Sequence, residues 1–232
     1  MIKPVAKAWD QQRQIVADAS HELKTPLSVI MANAELMQDP ATGEEDRETY
    51  SGNILSMTYQ MRTLVENMLE MARVDNGTVK IHFTTVDFSE LVSNAALSFQ
   101  LLYGEKGMGL RCAVSDGIAI YGSEQHLYQV MDVLLDNALK YSVPNSMVSV
   151  DLISTGKNCV LSVTSPGEPI SREDLKNIFK RFYRADKARV MNGSYGLGLS
   201  IAESIVEAHK GKIWAESENG YNTFYIQLPT NN

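Results

Sequence analysis

The chain has 232 residues and a formal net charge of −7, from 21 lysines and arginines and 28 aspartates and glutamates. This length allows one large domain or two modest domains, each able to bury a core. With 44% hydrophobic and 21% charged residues, the composition excludes a collagen, a disulfide scaffold and a wholly disordered chain. The acidic balance argues against a general nucleic-acid or anionic-membrane binder, because both polyanions would repel it.

Cysteine usage and hydropathy favour a reducing, aqueous compartment. Cys112 and Cys159 show neither CxxC nor cysteine–histidine spacing, so the sequence predicts no zinc site and two buried, small hydrophobic cysteines. The chain begins without an apolar run of signal-peptide length, and no later stretch reaches the ~18 apolar residues of a membrane span. The sequence as given is therefore expected to be soluble and cytoplasmic.

The first third of the chain predicts two long helices. Over residues 16–37, apolar or small residues recur at alternating steps of four and three, the heptad spacing of a helix that packs against other helices. Proline and glycine within residues 39–46 interrupt the pattern, and a second heptad series follows over 54–71. Because a lone pair of helices leaves apolar surface in water, we expect the antiparallel hairpin of residues 1–76 to dimerise into a four-helix bundle.

Beyond the hairpin, the pattern changes to alternating short strands and helices. Helices together with antiparallel strands predict a two-layer α/β sandwich over residues 77–232 and an α+β fold class for the chain. Helices are predicted at 89–103, 123–141, 171–182 and 196–209; strands are predicted at 79–86, 109–115, 118–121, 148–153, 159–164, 212–217 and 223–228.

A histidine on the first helix has the neighbours of a nucleophile. His21 lies one position past a heptad residue and is expected to face solvent, where Glu22 can accept a proton from one ring nitrogen while the other attacks. Thr25 is one turn further on and is able to position a water molecule. Pro26 deprives the helix of one N–H donor. A surface histidine with a chance acidic neighbour is the alternative, and a proline inside a strong heptad series weakens it.

Three later segments carry groups suited to phosphate chemistry. Residues 136–140 place an asparagine carbonyl that suits Mg²⁺ and a lysine that suits phosphate at the end of one helix. The glycine-rich residues 193–198 lead from a loop into a helix, where backbone N–H groups approach phosphate. Arg184 follows an aromatic helix end. Taken singly, these segments are explained more simply as a polar helix end, a weak loop motif and core aromatics.

The order of these motifs resembles the cytoplasmic core of sensor histidine kinases. SHELKTPL is similar to the H box of that family, LLDNALKYS to the N box, IFKRFYRAD to the F box and GSYGLGLSIAESIVEAHKGKI to the G2 box. The resemblance covers nearly the whole chain, and the occurrence of four motifs in the family's order makes it specific. The resemblance implies a dimerisation and histidine-phosphotransfer hairpin, followed by an ATP-binding catalytic domain of the GHKL (Bergerat) type.

The resemblance also implies roles for the residues of the hairpin. His21 would be the phosphorylated nucleophile and Glu22 its acid–base neighbour. Thr25 would serve dephosphorylation of the partner protein.

In the second domain, the resemblance implies a site for ATP and Mg²⁺. Asn137 would bind Mg²⁺, Lys140 would contact phosphate and Tyr141 would border the nucleotide. Arg184 would act from a lid that covers the nucleotide. The remaining positions are glycines that shape the lid and the phosphate-side helix start, and two residues of the G1 box beside the base: Gly193, Gly196 and Gly198, and Ser165 and Gly167.

The chain departs from the family in the G1 box, in the N box and in the G2 box, where Ser194 and Tyr195 stand between the first two glycines. The G1 box of the family carries Asp-x-Gly-x-Gly, whose aspartate accepts from the adenine amino group, whereas this chain has Ser165 in place of the aspartate and Pro169 in place of the second glycine. A hydroxyl accepts a hydrogen bond without charge assistance, so a weaker or water-mediated contact with adenine is expected. The first N-box asparagine is replaced by Val133.

The resulting hypothesis is an ATP-dependent protein-histidine kinase that phosphorylates His21 within a homodimer. It would pass the phosphoryl group to an aspartate of a response-regulator receiver domain and also dephosphorylate that regulator. The alternative is a dimeric scaffold or phosphatase-dominant module with a degenerate nucleotide pocket, motivated by the altered G1 box. Because the family consists mostly of membrane sensors, we expect a membrane-anchored parent protein whose sensor and anchor precede Met1.

Overall fold

The structure is a computed structural model of the chain, and it describes residues 2–75, 82–185 and 195–231. The chain divides into two compact units, Met1–Arg73 and Val74–Asn232. The first is helical, and the second combines a sheet with helices. The α+β fold class predicted from the sequence is confirmed.

Two long helices form the first unit. Helix α1 spans Ile2–Gln38 and helix α2 spans Glu44–Asp75, so the predicted break falls at residues 39–43. The Thr42 hydroxyl donates to the carbonyl of Leu36 at 2.7 Å, which satisfies one of the carbonyls left without a partner at the end of α1. Three acidic residues lie in the first turn of α2, where the helix dipole favours negative charge.

The buried face of α1 differs from the predicted heptad series by one position. Ala19, Pro26 and Asn33 are buried at a spacing of seven, whereas Ser20 and Leu27 of the predicted series are exposed. Within the single hairpin, burial is set by α2, and the Asn53 side-chain amide donates to the Asn33 Oδ1 at 3.1 Å to join the helices.

A second set of large apolar residues on both helices stays exposed in the single hairpin. Exposed apolar residues of this kind are the surface that a second copy would cover in a four-helix bundle. They are Leu27, Val29, Met31, Leu36, Leu55, Tyr59, Val65 and Leu69. Within the described ranges, neither these long helices nor the shorter ones are apolar enough over a sufficient length to cross a membrane.

The second unit contains a five-stranded sheet in the order β2-β4-β5-β7-β6, and β1 pairs with β3 beside it. The elements that follow α2 are β1 (Thr84–Asp87), α3 (Phe88–Glu105), β2 (Gly109–Val114), β3 (Ala119–Gly122), α4 (Glu124–Tyr141), β4 (Met147–Ser154), β5 (Asn158–Pro166), α5 (Arg172–Leu175), α6 (Gly198–Ala208), β6 (Lys212–Glu218) and β7 (Tyr221–Pro229). Strands β2 and β4 are parallel, because a crossover through β3 and α4 connects them, and the other pairs are antiparallel.

One face of this sheet forms the core with the helices. Alternate residues of β4, β5 and β7 are buried, as the side-chain period of two requires. Helix α4 packs against α3, α6 and β5, and the buried Tyr103 of α3 donates its hydroxyl to the Leu135 carbonyl at 2.8 Å. The predicted two-layer α/β sandwich is confirmed.

Two local predictions are wrong in part, and a third lies partly outside the described residues. The helix predicted at 171–182 is helical only over Arg172–Leu175, because the following residues turn to bury Ile178 and place Phe179 edge-on to Phe224. Cys159 is buried as predicted, but Cys112 is exposed because it lies on the edge strand β2. Of the strand predicted at 79–86, residues 79–81 lie outside the described residues.

A buried histidine joins the end of α6 to the start of α4. His209 Nε2 accepts from the Ser123 backbone N–H at 2.9 Å, and His209 Nδ1 lies 2.7 Å from the Ile205 carbonyl. The carbonyl only accepts, so Nδ1 carries the proton and the ring is neutral. Burial lowers the pKa of His209, the Ile205 carbonyl opposes this, and nearby His126 adds to the lowering.

We expect the sandwich to lose stability as the pH falls below about 6.5, the ordinary pKa of histidine. Because the pKa of His209 is lower in the folded than in the unfolded chain, the unfolded state takes up the proton first and is favoured by acid. Urea unfolding followed by Trp214 fluorescence in a Trp9→Phe background measures this. His209→Asn should flatten the pH dependence, and His82→Gln, at an exposed histidine, should not.

Candidate functional site

The C-terminal half of α4 carries the first cluster of predicted site residues. Lys140 Nζ lies 2.6 Å from Asp136 Oδ2, one turn earlier, so this lysine is held close to the helix end. Burial, and next the charge of Asp136, raise the pKa of Asp132 on the same helix. Asn137 is half-buried beside this pair. The helix end thus presents an amide oxygen and a cation, the groups required for a metal–phosphate ligand.

Helix α4 meets the glycine-rich start of α6 through Val133. A Cβ added to Gly198 would lie 3.3 Å from Val133 Cγ1, so the first turn of α6 approaches α4 closely. Asn137 follows Val133 by four residues and shares its helix face. The structure therefore brings Asn137 near the N-terminus of α6, where unpaired N–H groups and the helix dipole favour an anion.

The residues that follow α4 contact the G1 segment, which is residues 165–170. The Val143 N–H donates to the Pro166 carbonyl at 3.0 Å, and Ser142 pairs with Gly167 as a β-bridge. A Cβ on Gly167 would lie 3.1 Å from the Tyr141 carbonyl, which explains why a glycine is needed there. The buried Ser165 lies two residues before Gly167 on β5.

A further polar residue, which the sequence analysis did not single out, lies opposite Ser165. Asn222 of β7 is paired with Ser165 in the antiparallel register and is 7% exposed. Its Nδ2 donates to the Glu168 carbonyl at 2.9 Å. The signal in the sequence was an amide at the inward-facing position of a strand whose other inward residues, from Phe224 to Leu228, are apolar.

The F-box segment around Phe182 and Tyr183 contacts Gly196, just before α6. Gly196 has φ of +69°, and a Cβ there would lie 2.6 Å from the Tyr183 carbonyl. The Phe182 N–H donates to the Gly196 carbonyl at 2.9 Å. Tyr183 in turn donates its hydroxyl to Asp174 at 2.6 Å, and the hydrogen bonds of Ser171 and Tyr183 lower the pKa of that carboxyl group.

The two residues predicted to lie in the lid are Arg184 and Gly193. Arg184 is half-buried directly after Tyr183. Gly193 lies outside the described residues.

The predicted nucleophile lies in the helical unit. His21 and Thr25 of α1 are exposed, Glu22 is half-buried and Pro26 is buried. Helix α1 is continuous through Pro26, whose missing N–H leaves the Glu22 carbonyl without its usual donor. The exposed ring of His21 is therefore accessible to a second reactant.

The predicted residues thus fall into two groups. In the sandwich, α4, the G1 segment and the start of α6 bring one set together: Asn137, Lys140, Tyr141, Ser165, Gly167, Gly196 and Gly198. His21, Glu22 and Thr25 lie on the hairpin. Among the residues that the structure describes, no cluster of three histidine, cysteine or acidic side chains is arranged to hold a metal. A Mg²⁺ that keeps several waters and phosphate oxygens still fits the single amide of Asn137.

Both halves of the chain match known domain families. Residues 11–77 match the family described as His Kinase A (phospho-acceptor) domain, and residues 122–232 match the family described as Histidine kinase-, DNA gyrase B-, and HSP90-like ATPase. The chain belongs to the sensor histidine kinases, and its second domain is an ATP-binding domain of the GHKL class.

Particular relatives agree over the whole chain. Sensor protein DltS of Streptococcus agalactiae is 34% identical over 229 residues, which are 99% of this chain and 57% of that protein. The histidine-protein kinase ArlS of Staphylococcus epidermidis is 33% identical and matches 100% of this chain and 51% of its own length. The chain thus spans about half the length of the curated relatives it matches.

A solved structure shares the fold. The histidine kinase ThkA, solved in complex with the response regulator protein TrrA, aligns with a TM-score of 0.78 and 21% identity. The alignment covers 94% of this chain and 61% of ThkA. At this identity, the likeness shows the fold alone.

We expect Gly196→Ala to lower the free energy of unfolding of the sandwich by about 1–3 kcal/mol, because alanine is strained at positive φ and its Cβ meets backbone atoms. Gly198→Ala is the matched control. It faces only a valine methyl and lies at a helix start, so it should change stability by less than ~1 kcal/mol. Urea denaturation measures both, and equal effects would contradict the backbone contact.

Proposed function

We propose that this chain is the ATP-dependent catalytic core of a histidine kinase that phosphorylates His21. One observation carries the proposal: an exposed histidine followed by Glu22 lies on the phospho-acceptor hairpin of a chain that also holds a GHKL ATPase domain. The His21 ring nitrogen attacks the γ-phosphorus, the bond from phosphorus to the β,γ-bridging oxygen breaks, and ADP leaves. Glu22 accepts the proton from the other ring nitrogen.

The nucleotide site is proposed at the contact of α4, the G1 segment and α6. Bound Mg²⁺ would neutralise charge on the phosphates of ATP, with Asn137 as its protein ligand. Lys140 would contact phosphate and Arg184 would act from a lid over the nucleotide. Gly193, Gly196 and Gly198 would shape that lid and the phosphate-side start of α6. Tyr141, Ser165 and Gly167 lie on the side of the base.

The partners proposed are a second copy of the chain and a response-regulator receiver domain. The exposed apolar residues of the hairpin support the first, since their burial would complete a four-helix bundle. The complex of ThkA with the response regulator protein TrrA supports the second. An aspartate of the receiver would take the phosphoryl group from His21, and Thr25 would position water for the reverse dephosphorylation.

The proposal extends to domain limits and cellular location. We place the phosphotransfer hairpin at residues 1–76 and the catalytic domain at 77–232. This chain spans 57% of sensor protein DltS, and we propose that its parent protein is longer and membrane-anchored, with this region in the cytoplasm.

We expect Mg²⁺·ATP labelled at the γ-phosphate to label the protein with an acid-labile, base-stable bond. His21→Gln should abolish the label, because no other histidine lies on the hairpin or is followed by a glutamate. His82→Gln, at a second exposed histidine, should retain it. Filter binding after acid and base treatment measures the label. Label that persists in His21→Gln would exclude His21 as the acceptor.

The second candidate is a dimeric scaffold or phosphatase-dominant module with a weakened nucleotide pocket. Three features favour it. Ser165 replaces the aspartate of the G1 box and Pro169 replaces its second glycine. Val133 replaces the first asparagine of the N box and lies against the start of α6. This candidate predicts that the chain does not detectably bind ATP, whereas the kinase requires binding of Mg²⁺·ATP.

Titration of the chain with ATP separates the two candidates. For the kinase we expect binding that strengthens with Mg²⁺ and weakens about 10-fold or more in Asn137→Ala, because the metal loses its protein ligand. Asn94→Ala, at an exposed asparagine of α3, is the control and should bind as the wild type does. No detectable binding with Mg²⁺ present would contradict the kinase and favour the scaffold candidate.

A further inference from the structure

Asn222 holds a buried acceptor that the fold does not use. The side chain is 7% exposed, and its Nδ2 donates to the Glu168 carbonyl at 2.9 Å. Among the described residues, its Oδ1 is buried and has no hydrogen-bond partner. An unsatisfied buried acceptor destabilises the folded state, so it is rare in native proteins unless something outside the chain satisfies it.

The orientation of this amide is determined by its neighbour. Because the Glu168 carbonyl only accepts, the amide nitrogen must face it, and the oxygen must point the other way. Asn222 Oδ1 is therefore a fixed acceptor that seeks an N–H or O–H donor. A bound cation does not explain this acceptor, since the inward face of β7 carries no acidic side chain beside Asn222.

This acceptor lies at the G1 end of the sheet, where β5 ends and β7 begins. Asn222 is directly across from Ser165 in the β5–β7 register. A Cβ on Gly167 would lie 2.9 Å from Asn222 Nδ2 and 3.1 Å from the Tyr141 carbonyl. There is therefore no room for a side chain at position 167. The unused acceptor thus lies among the residues proposed to surround the base of the nucleotide.

We propose that Asn222 Oδ1 accepts a hydrogen bond from the exocyclic amino group of the adenine of ATP. This inference rests on the proposed function, because it places the base of ATP at the G1 end. In this chain the acceptor for the amino group has moved across the strand pair, from position 165, now a serine, to position 222. A base with an oxygen in place of the amino group would set two acceptors against each other and be rejected.

The test pairs a change in the protein with a change in the nucleotide. The full chain is titrated with Mg²⁺·ATP and with the triphosphate of purine riboside, which lacks only the 6-amino group. The wild type should bind ATP about 10-fold more tightly than the analogue. Asn222→Leu, of similar size without the acceptor, should bind the two equally.

Ser165→Ala is the control within the same site. It should keep a preference for ATP, and loss of the preference there with retention in Asn222→Leu would assign the contact to Ser165 and overturn the inference. Asn222→Ala serves as a second truncation if leucine prevents folding, as judged by circular dichroism. A merely structural role of Asn222 would weaken both nucleotides equally and leave their affinity ratio unchanged, which would also overturn it.

The outcomes separate this inference from the proposed kinase. Amino-dependent binding without label on His21 supports the role of Asn222 and contradicts the kinase. Label on His21 with equal binding of both triphosphates by the wild type contradicts the role of Asn222 alone. A wild-type chain that binds neither triphosphate contradicts both.

Discussion

Helix α4 is the element on which the second domain depends, because its two faces serve different purposes. Its apolar face is buried against α3, α6 and the sheet, and includes Leu134 and Leu135. Its other face and its end carry Asn137 and Lys140, and the chain just beyond pairs with the G1 segment. The helix therefore cannot shift to suit a ligand without disturbing the core, so the polar groups are held where the core places them.

The strand pair β5–β7 beside α4 offers a second acceptor next to the position where the family's aspartate is replaced by Ser165. A buried carboxylate is a strong acceptor but costs much to desolvate, and the serine at 165 avoids that cost. Across the strand pair, Asn222 supplies a neutral acceptor whose direction is set by its own second hydrogen bond. Neighbouring strands place residues far apart in sequence within contact distance, so one position can replace another there.

The hairpin follows a different constraint: each helix carries one surface that packs against the other helix and a second apolar surface that is exposed in the single hairpin. One stripe of α1 packs against α2 and includes Pro26, while other apolar side chains stay exposed. The exposed His21 precedes this proline by five residues, where the helix lacks one backbone hydrogen bond. Such a helix is locally easier to distort at the position proposed for phosphorylation, whereas its remainder is held by the heptad packing.

The sequence by itself determined the two long helices, the sandwich and the order of the four motifs, because hydrophobic period and motif spacing are local properties. It did not determine which face of α1 turns to α2, since both candidate stripes mix apolar residues with a small polar one, Ser20 or Asn33. The short α5, the exposed Cys112 at a sheet edge and the buried neutral His209 depended on packing between distant segments. Asn222 was decided by tertiary structure alone: only strand register puts its unpaired oxygen opposite Ser165.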